Sequence, residues 1–369
     1  MTVIDENPVN LSPVNTQTWV NGRHMVRCVK VIQETHDVKT FCFMSQSPIM
    51  FFFKPGQFVT LELEIDEEQV MRSYTISSSP SVPYSFSITV KRVKGGKVSN
   101  WLHDNMMVES ELAVHGPVGN FNCIDQTADK VLLLSGGVGV TPLMSMARWW
   151  FDTNGNVDMK FVHSAQTPKD IIYHRELEFM DSRIDNFELA IICERQNIGD
   201  SWMGFRGYLS KETLQLIAPD FQDRYVFCCG PTPYMNAVKK ILQVLNFPME
   251  NYFEESFGAP PEEAKEEALE SAEHALLQPD DTNLFEVLFE DADRSAKITA
   301  EDTLLSAASK AGLHIPKACG MGICGTCKVK LVSGEVEMNH NGGITEDDEN
   351  DGYILSCCST PKSHVVIKT

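Results

Sequence analysis

The stretch Cys319-Gly-Met-Gly-Ile-Cys324-Gly-Thr-Cys327 places three cysteines in a Cys-x4-Cys-x2-Cys pattern, and Cys357 follows thirty positions after the third. This is the spacing of the plant-type [2Fe–2S] cluster, in which each of two irons takes two thiolates. The intervening glycines give the backbone the freedom to wrap around a small charged group. A structural zinc site is the alternative, but such sites usually combine two separated Cys-x2–4-Cys pairs. The pattern predicts a carrier of single electrons.

Composition predicts a globular, multidomain protein. A chain of 369 residues has room for two or three domains, and a hydrophobic content of 43% supplies their cores. No apolar run approaches the ~20 residues of a membrane span, and the N-terminus lacks the basic and apolar regions of a signal peptide. The chain has eleven cysteines. Four are assigned to the cluster and the others are scattered, which favours a reducing cytoplasm. A net charge of −20 argues against a nucleic-acid partner.

The sequence pattern changes several times along the chain. Alternating strands such as Gln57–Leu63 and Ser85–Lys91 predict an antiparallel barrel. The apolar run Val131–Leu134, followed by glycines and a helical stretch, begins an alternation of strands and helices that is typical of a doubly wound parallel sheet. The predicted segments are a loose lead-in (1–20), the barrel (21–123), the α/β domain (124–258), an acidic linker that is partly helical (259–283) and the cysteine-rich domain (284–369).

Three further element predictions depend on local signals. Helices are expected at Ile171–Phe179 and Pro233–Leu245, within the alternating region. In the last domain, Thr299-Ala-Glu-Asp302 has the pattern of a capping box, and Leu304–Ala311 is predicted as a short helix closed by Gly312.

A short string in the barrel carries a resemblance to a known family. Arg72-Ser73-Tyr74-Thr75 resembles the Arg-x-Tyr-(Ser/Thr) motif of the ferredoxin–NADP⁺ reductase superfamily. The resemblance implies that Arg72 holds the flavin phosphate, that Tyr74 stacks on the isoalloxazine, and that the Thr75 hydroxyl lies near flavin N5. These roles suit the side chains, because a guanidinium binds phosphate through two hydrogen bonds and an aromatic face packs on a flat ring.

Two other strings in the barrel match the same family in order. The turn Gly95-Gly96-Lys-Val98-Ser99 resembles its second phosphate-binding turn, and His115-Gly116-Pro117 resembles the segment that closes its flavin domain. The resemblance adds these residues to the flavin site: Ser73, Gly96, Val98, Ser99, Gly116 and Pro117.

Between a predicted strand and helix lies Ser135-Gly-Gly-Val-Gly-Val-Thr-Pro142. It matches the superfamily's Gly-Gly-x-Gly-x-Thr-Pro nucleotide motif and differs from the Gly-x-Gly-x-x-Gly fingerprint. Glycines allow the backbone to approach a pyrophosphate, and the helix N-terminus offers unpaired N–H groups. A strand–helix turn that binds no ligand is the alternative. The predicted nucleotide-binding residues are Gly136, Gly137, Gly139, Thr141 and Pro142.

Other residues of the α/β domain are assigned through the resemblance. Cys229-Gly230-Pro231 matches the family's Cys-Gly-Pro, which implies that Cys229 lies beside the nicotinamide and flavin. Glu255 falls in a terminal segment near the flavin, so Thr75, Cys229 and Glu255 are the expected catalytic residues. Ser164 and Arg195 are candidates for a 2′-phosphate contact. Gln166 stands where an arginine is often found in NADPH-binding members, and NADH is therefore favoured.

Together these motifs predict the fold class and the function. The expected protein has an antiparallel β-barrel flavin domain, an α/β doubly wound nucleotide domain and an α+β (β-grasp) ferredoxin domain, whose fourth cluster ligand is Cys357, with Cys358 as the alternative. The chain resembles reductase components of multicomponent oxygenases, and most nearly the reductases of glycine betaine demethylase systems. That resemblance implies transfer from NAD(P)H through FAD, with FMN less favoured, and the cluster to a Rieske-type oxygenase. A reductase for a hybrid-cluster protein and a non-enzymatic redox sensor are the alternatives.

Overall fold

The structure is a computed structural model that describes residues 17–153, 156–199, 201–257, 284–300, 302–313, 315, 320, 322, 325–340 and 343–369. The helices are α1 (Lys97–Asn105), α2 (Val140–Asp152), α3 (His174–Asp181), α4 (Lys211–Ile217), α5 (Thr232–Val244), α6 (Leu304–Lys310) and α7 (Glu346–Asn350). The strands are β1 (Gln17–Thr18), β2 (Gly22–Thr35), β3 (Val38–Ser45), β4 (Ile49–Met50), β5 (Phe58–Ile65), β6 (Glu68–Thr75), β7 (Phe86–Lys91), β8 (Glu111–Val118), β9 (Lys130–Gly136), β10 (Asp158–Ala165), β11 (Phe187–Cys193), β12 (Phe205–Arg206), β13 (Tyr225–Cys229), β14 (Tyr252–Glu255), β15 (Phe285–Phe289), β16 (Arg294–Ile298), β17 (Lys328–Ser333), β18 (Val336–Met338), β19 (Tyr353–Leu355), β20 (Ser359–Pro361) and β21 (Val365–Lys368).

The first domain is a curled antiparallel sheet of six strands in the order β6-β5-β8-β2-β3-β7. A bridge between Ile76, directly after β6, and Ile88 in β7 brings the two edges together. Side chains alternate along each strand, so that Val26 and Cys28 are buried while Arg27 between them is exposed. The prediction of an antiparallel flavin-type barrel is confirmed.

The second domain is a parallel sheet in the order β12-β11-β10-β9-β13-β14. Its chain order reverses between β9 and β13, and helices cover both faces. Leu133, Phe161 and Phe227 pack on one face, and Leu132, Leu134 and Val162 pack on the other. Strands buried on both faces explain why Val131–Leu134 is continuously apolar in the sequence. The doubly wound prediction is confirmed, and a crevice forms where the order reverses.

The C-terminal domain has a mixed sheet in the order β16-β15-β21-β17-β19. Strand β15 runs antiparallel to β16 and parallel to β21. Helix α6 buries Leu304, Ala307 and Ala308 in the same core as Val287 and Phe289. This is the predicted β-grasp arrangement. By compactness the chain divides into two units, one holding the barrel and the nucleotide domain and the other holding the C-terminal domain together with residues 68–73.

Several local predictions need correction. Part of the predicted lead-in is ordered, since Gln17–Thr18 pairs with Ile49–Met50. Helix α3 begins at His174 rather than at Ile171, because Tyr173 has a left-handed backbone conformation, with φ 58°, that the helix cannot include. The predicted linker (259–283) lies wholly outside the described residues. Within the described part of the chain, no helix is long and apolar enough to cross a membrane.

The predicted helix cap in the last domain is wrong. Helix α6 is capped by Thr303, whose side chain accepts a hydrogen bond from the backbone N–H of Ser306. Thr299 and Asp302 form a separate turn before it, in which the Thr299 N–H donates to Asp302 at 3.0 Å. A threonine followed three positions later by an acid is a cap only where helical backbone follows directly. Gly312 closes the helix with φ +70°, as predicted.

Candidate functional site

The glycine-rich loop lies at the point where the strand order of the parallel sheet reverses. Strand β9 ends at Gly136, and a short 3₁₀ turn at Gly137–Gly139 leads directly into α2. A Cβ atom on Gly139 would lie 2.3 Å from the carbonyl oxygen of Cys229 and 2.5 Å from the nitrogen of Gly230. Only a glycine allows the loop to come so close to the end of β13. The loop therefore opens the N-terminus of α2 toward the crevice, as an anion-binding loop requires.

Tyr234 closes the floor of this loop. Its ring lies 3.0 Å from the Cβ position of Gly136 and 2.8 Å from that of Gly230. The phenol oxygen is buried without hydrogen-bond geometry to any described residue, although it approaches the Ser164 side chain, and burial raises its pKa well above the ordinary value. Two of the motif glycines are thus required by one aromatic ring as well as by the turn. The sequence analysis missed Tyr234, whose place three residues after Pro231 carries no recognisable signal.

The three residues expected to be catalytic come together at the edge of this crevice. Cys229 and Glu255 are register partners on adjacent parallel strands, and both face the side of the sheet that carries α2. The Glu255 carboxyl hydrogen-bonds the side chain of Thr75 from the barrel. Thr75 and Glu255 are each 6% exposed, and Cys229 is fully buried. A barrel residue and two nucleotide-domain residues therefore form one buried polar group.

Burial governs the charge of this group. It raises the pKa of Glu255 to about 8, against a smaller opposing effect of the Thr75 hydrogen bond. The other carboxylate oxygen, Oε2, has no hydrogen-bond partner among the described residues. Burial and the neighbouring Glu255 also hold the pKa of Cys229 well above the ordinary value. The group is consequently neutral near pH 7, with a proton on Glu255 and an unreactive thiol at Cys229.

The remaining barrel residues predicted for the flavin lie on β6, α1 and β8. Arg72 is exposed, Ser73 and Tyr74 are half-buried, and all three precede the buried Thr75 on β6. Gly96 is the N-cap of α1, and the Ser99 hydroxyl accepts a hydrogen bond from the N–H of Val93 at 3.2 Å. Within this turn, Ser99 therefore holds the backbone in place. Val98 is buried beside it, and Gly116 (φ +125°) and Pro117 lie on β8.

The other loop residues lie in the first turn of α2. Thr141 is 2% exposed and its hydroxyl donates to the carbonyl of Val138 at 3.1 Å. Pro142 follows in the same turn, where a missing N–H leaves no helical bond unmade. Both residues therefore stabilise the first turn of α2.

Ser164 and Arg195 lie at the ends of neighbouring strands but differ in exposure. The Ser164 hydroxyl is buried on the Tyr234 side of the sheet. Arg195 is exposed and donates to Glu194 at 3.3 Å and to Gln166 at 3.4 Å. Glu194 also accepts a hydrogen bond from the phenol of Tyr208. At this end of the crevice the Glu194 carboxylate is thus paired with Arg195 and Tyr208.

Two of the four cysteines predicted as cluster ligands, Cys327 and Cys357, lie in the described part of the C-terminal domain, while Cys319 and Cys324 lie outside it. The backbone N–H and the hydroxyl of Ser356 both donate to the carbonyl of Cys327, at 3.1 and 3.0 Å. This holds Cys357, the next residue, beside Cys327, and both are buried. The Cys358 Sγ lies 2.6 Å from the Cβ position of Gly322, and the thiol donates toward the carbonyl of Leu355 at 3.6 Å. Among the described residues no group of three ligand side chains is found.

The glycines between the cysteines have the backbone that the cluster loop requires. Gly320, Gly322 and Gly325 all have positive φ, from +66° to +72°. A Cβ on Gly325 would lie 2.7 Å from the carbonyl oxygen of Gly343. Such a chain turns tightly and directs successive N–H groups inward, which suits a charged cluster. The described residues fit a [2Fe–2S] group.

A buried pair in the sheet was also missed from the sequence. The Ser135 hydroxyl and His163 Nδ1 are 2.8 Å apart on adjacent strands. Burial lowers the pKa of His163 to about 4, so the ring is neutral. Ser135 and His163 are 28 positions apart in the chain, so no local pattern in the sequence marks the pair.

Comparison with known proteins agrees with this geometry. Family models for an oxidoreductase FAD-binding domain, an oxidoreductase NAD-binding domain and a 2Fe-2S iron-sulfur cluster binding domain match residues 25–123, 133–240 and 289–362. The glycine betaine monooxygenase reductase subunit of Chromohalobacter salexigens is 66% identical, over 97% of this chain and 98% of that protein. Its namesake in Pseudomonas aeruginosa is 67% identical over the same shares. The solved structure of a phthalate dioxygenase reductase has a similar fold, with a TM-score of 0.59 at 22% identity, over 94% of this chain and 98% of that one.

Proposed function

The chain belongs to the family of oxygenase reductases that includes the glycine betaine monooxygenase reductase subunits, and from this premise we propose that it delivers electrons from NADH to a Rieske-type monooxygenase that demethylates glycine betaine. It is an electron-transfer oxidoreductase with FAD-, nicotinamide nucleotide- and [2Fe–2S]-binding domains. The observation that carries the proposal is the meeting of Thr75, Cys229 and Glu255 beside the glycine-rich loop.

The residues of this chain would prepare the reaction by position and by exclusion of water. Arg72 and the N-terminus of α1 would hold the flavin phosphates, with Tyr74 and Thr75 against the ring system. Gly136–Gly139 would receive the nucleotide pyrophosphate at the start of α2. Glu255 keeps a proton near neutral pH and holds the Thr75 side chain. When bound, the flavin accepts two electrons as a hydride and releases them one at a time.

Cys319, Cys324, Cys327 and Cys357 would hold the [2Fe–2S] cluster, which supplies one-electron transfer to an acceptor. In the described part of the loop, the Ser356 bonds to Cys327 orient two of these four ligands. We prefer Cys357 to Cys358 as the fourth ligand, because Cys357 directly follows Ser356, which is hydrogen-bonded to Cys327, whereas the Cys358 thiol donates toward the carbonyl of Leu355.

We infer that NADH is preferred over NADPH. A 2′-phosphate needs cationic or hydroxyl partners, whereas a free ribose is well served by a carboxylate. At the ends of β10 and β11 the Ser164 hydroxyl is buried, and Arg195 is engaged by Glu194 and Gln166. The carboxylate of Glu194 would repel a phosphate placed there. Anaerobic titration with each nucleotide tests this, and equal or better reduction by NADPH would contradict it.

The acceptor is proposed from the identity of the relatives. We propose a Rieske-type oxygenase component as partner and the cytoplasm as the compartment, where buried thiols such as Cys28 and Cys123 stay reduced. The test is reconstitution of the purified reductase with the candidate oxygenase, NADH and glycine betaine, following formaldehyde release. Reduction of the reductase without formaldehyde would contradict this acceptor. A hybrid-cluster protein would then be tested as the acceptor in the same assay.

A single variant tests the order of electron transfer. Cys324→Ser is expected to retain NADH-dependent ferricyanide reduction, because a small acceptor takes electrons from the flavin, and to lose most cytochrome c reduction, which requires the cluster. Cys358→Ser is the matched control and should keep both activities. Unchanged cytochrome c reduction in Cys324→Ser would contradict the proposed order.

A further inference from the structure

Arg148 connects the nucleotide domain to the barrel. It lies in the middle of α2, and its side chain is only 18% exposed. Its guanidinium donates to the backbone carbonyl of Ser77 at 2.5 Å and forms two bonds to Glu176, at 2.8 and 2.7 Å. On the same helix, the Ser145 hydroxyl donates to the carbonyl of Ser78 at 2.7 Å. One helix of the nucleotide domain therefore holds two consecutive carbonyls of the barrel.

Tyr173 makes the second connection. Its ring lies 4.7 Å from the Arg148 guanidinium carbon, and its hydroxyl hydrogen-bonds the Thr89 hydroxyl of the barrel. Thr89 is in turn 3.0 Å from the Ser77 hydroxyl and 2.7 Å from that of Thr40. Tyr173 has the left-handed backbone conformation noted above. This conformation is unfavourable for a non-glycine residue and persists where the surroundings require it.

The contacts of α2 with Ser77 and Ser78 lie close in sequence both to Thr75 and to the glycine-rich loop. Ser77 follows Thr75 by two residues, and α2 begins at the glycine-rich loop. Ser77 is also tied to the barrel, because its N–H donates to the carbonyl of Ser87 at 2.7 Å. The segment that follows the flavin motif is thus held on one side by the barrel and on the other by the helix that carries the nucleotide loop.

We propose that Arg148 and Tyr173 are positioning residues for hydride transfer, because they fix the Thr75–Ser78 segment against α2 and so set the distance between the two redox partners. The proposal rests on the function proposed above. Neither side chain needs to touch a cofactor. A displacement of about 1 Å can reduce the rate of a reaction by about 100-fold, so a clamp on this segment has a large effect on chemistry and a small one on binding.

Arg148→Met removes the three charged hydrogen bonds and keeps the bulk of the side chain. We expect the rate of flavin reduction at saturating NADH, measured by anaerobic stopped flow, to fall at least 10-fold. The NADH concentration for half-maximal rate should change less than threefold. The matched control is Arg183→Met on the same domain, since Arg183 also lies over an aromatic ring, that of Phe179 at 5.3 Å, but is exposed. It should change neither quantity.

A second measurement does not depend on activity. Hydrogen–deuterium exchange of the holoprotein should be at least 10-fold faster at residues 76–79 in Arg148→Met than in the native protein or in Arg183→Met. Exchange in β2 should be unchanged. If Arg148→Met does not fold, Tyr173→Phe, which loses only the phenol oxygen, replaces it, with an expected fall of at least threefold in the rate and faster exchange at the same residues.

The outcomes separate the two proposals. Native rates and exchange within twofold in the folded variant would overturn the clamp and leave the reductase function intact. The same holds if Arg183→Met has an equal effect. Failure of the native protein to be reduced by NADH or NADPH would overturn the proposed function and, with it, the role of the clamp in hydride transfer.

Discussion

At the scale of single residues, the chemistry of the candidate site is set by burial. Glu255 and Cys229 are ionisable groups enclosed between β13, β14 and the barrel, and burial raises the pKa of both. The Glu255 carboxyl therefore keeps its proton at a pH where exposed carboxyls have lost theirs. Its nearest polar partner is Thr75, from a distant part of the chain. Burial thus keeps the Glu255 carboxyl protonated near neutral pH beside the crevice.

Glu255→Gln tests this proton. The pKa is about 8 in the folded protein against 4.5 in the unfolded chain. Between these values the folded state binds one more proton, so stability falls as pH rises, by up to about 1.4 kcal/mol per pH unit. In Glu255→Gln this contribution is absent. The unfolding temperature of the native protein should therefore drop relative to the variant from pH 5 to pH 8. The exposed Glu250→Gln is the control, and parallel curves for all three proteins would contradict the assignment.

Gly139→Ala tests the close approach of the loop to β13. The added Cβ would overlap backbone atoms of Cys229 and Gly230 at 2.3 to 2.5 Å, and backbone cannot rotate away as a side chain can. We expect a loss of about 2 kcal/mol or more in the stability of the nucleotide domain and a severe loss of NADH-dependent reduction. Gly137→Ala separates strain from overlap, because that position has φ +53° and no atom within 4 Å. Equal losses in thermal unfolding would show that overlap is not the cause.

At the scale of elements, helix ends determine where the site components begin. Helix α2 starts where β9 ends, so the loop between them has only a few residues with which to face a ligand. Helix α6 is capped by Thr303, four residues after the cap that the sequence suggests. Of the two threonines, only Thr299 has an acid three positions later, but Thr303 directly precedes Leu304 and Ala307, which α6 buries against the sheet. Packing decided the register of the helix.

Thr303→Ala measures the cap of α6. Loss of the bond from the Ser306 N–H should lower the stability of the C-terminal domain by about 1 kcal/mol. Thr299→Ala removes only a hydroxyl contact to Asp302 in an exposed turn and should change stability by less than about 0.5 kcal/mol. Urea unfolding followed through the visible absorption of the cluster compares the two. A larger effect of Thr299→Ala would restore the cap predicted from the sequence.

At the scale of the whole molecule, the net negative charge is expected to affect association with the electron acceptor more than it affects the fold. The net charge is −20 over 369 residues, and ten acidic residues with one lysine lie between Glu254 and Asn283. A field of this size steers a basic partner and repels an anion, and salt screens both effects over about 8 Å at 0.15 M. Electron delivery to a protein acceptor is where this field should be visible.

We therefore expect added salt to change the rates of electron transfer to the oxygenase and to ferricyanide in opposite directions. Raising NaCl from 50 to 300 mM should slow electron delivery to the proposed oxygenase, because attraction is screened. The same change should leave ferricyanide reduction equal or faster, because the acceptor is an anion. Steady-state rates at a fixed saturating NADH concentration measure both. If delivery to the oxygenase rises with salt, the partner surface is not basic.

The sequence alone determined the local chemistry of this protein. The Arg72–Thr75 string, the Ser135–Pro142 loop and the run from Cys319 to Cys327 are short and local, because each is proposed to hold a ligand with neighbouring residues, and they indicate the three-domain fold class. The tertiary structure decided which side chains from distant parts of the chain come into contact. The meeting of Thr75 with Glu255, the pairing of Ser135 with His163 and the hold of Arg148 on Ser77 join residues that are 28 to 180 positions apart. No local pattern records such contacts, because they arise from strand pairing within a domain, from the packing of one domain on another and from burial that only the folded chain creates.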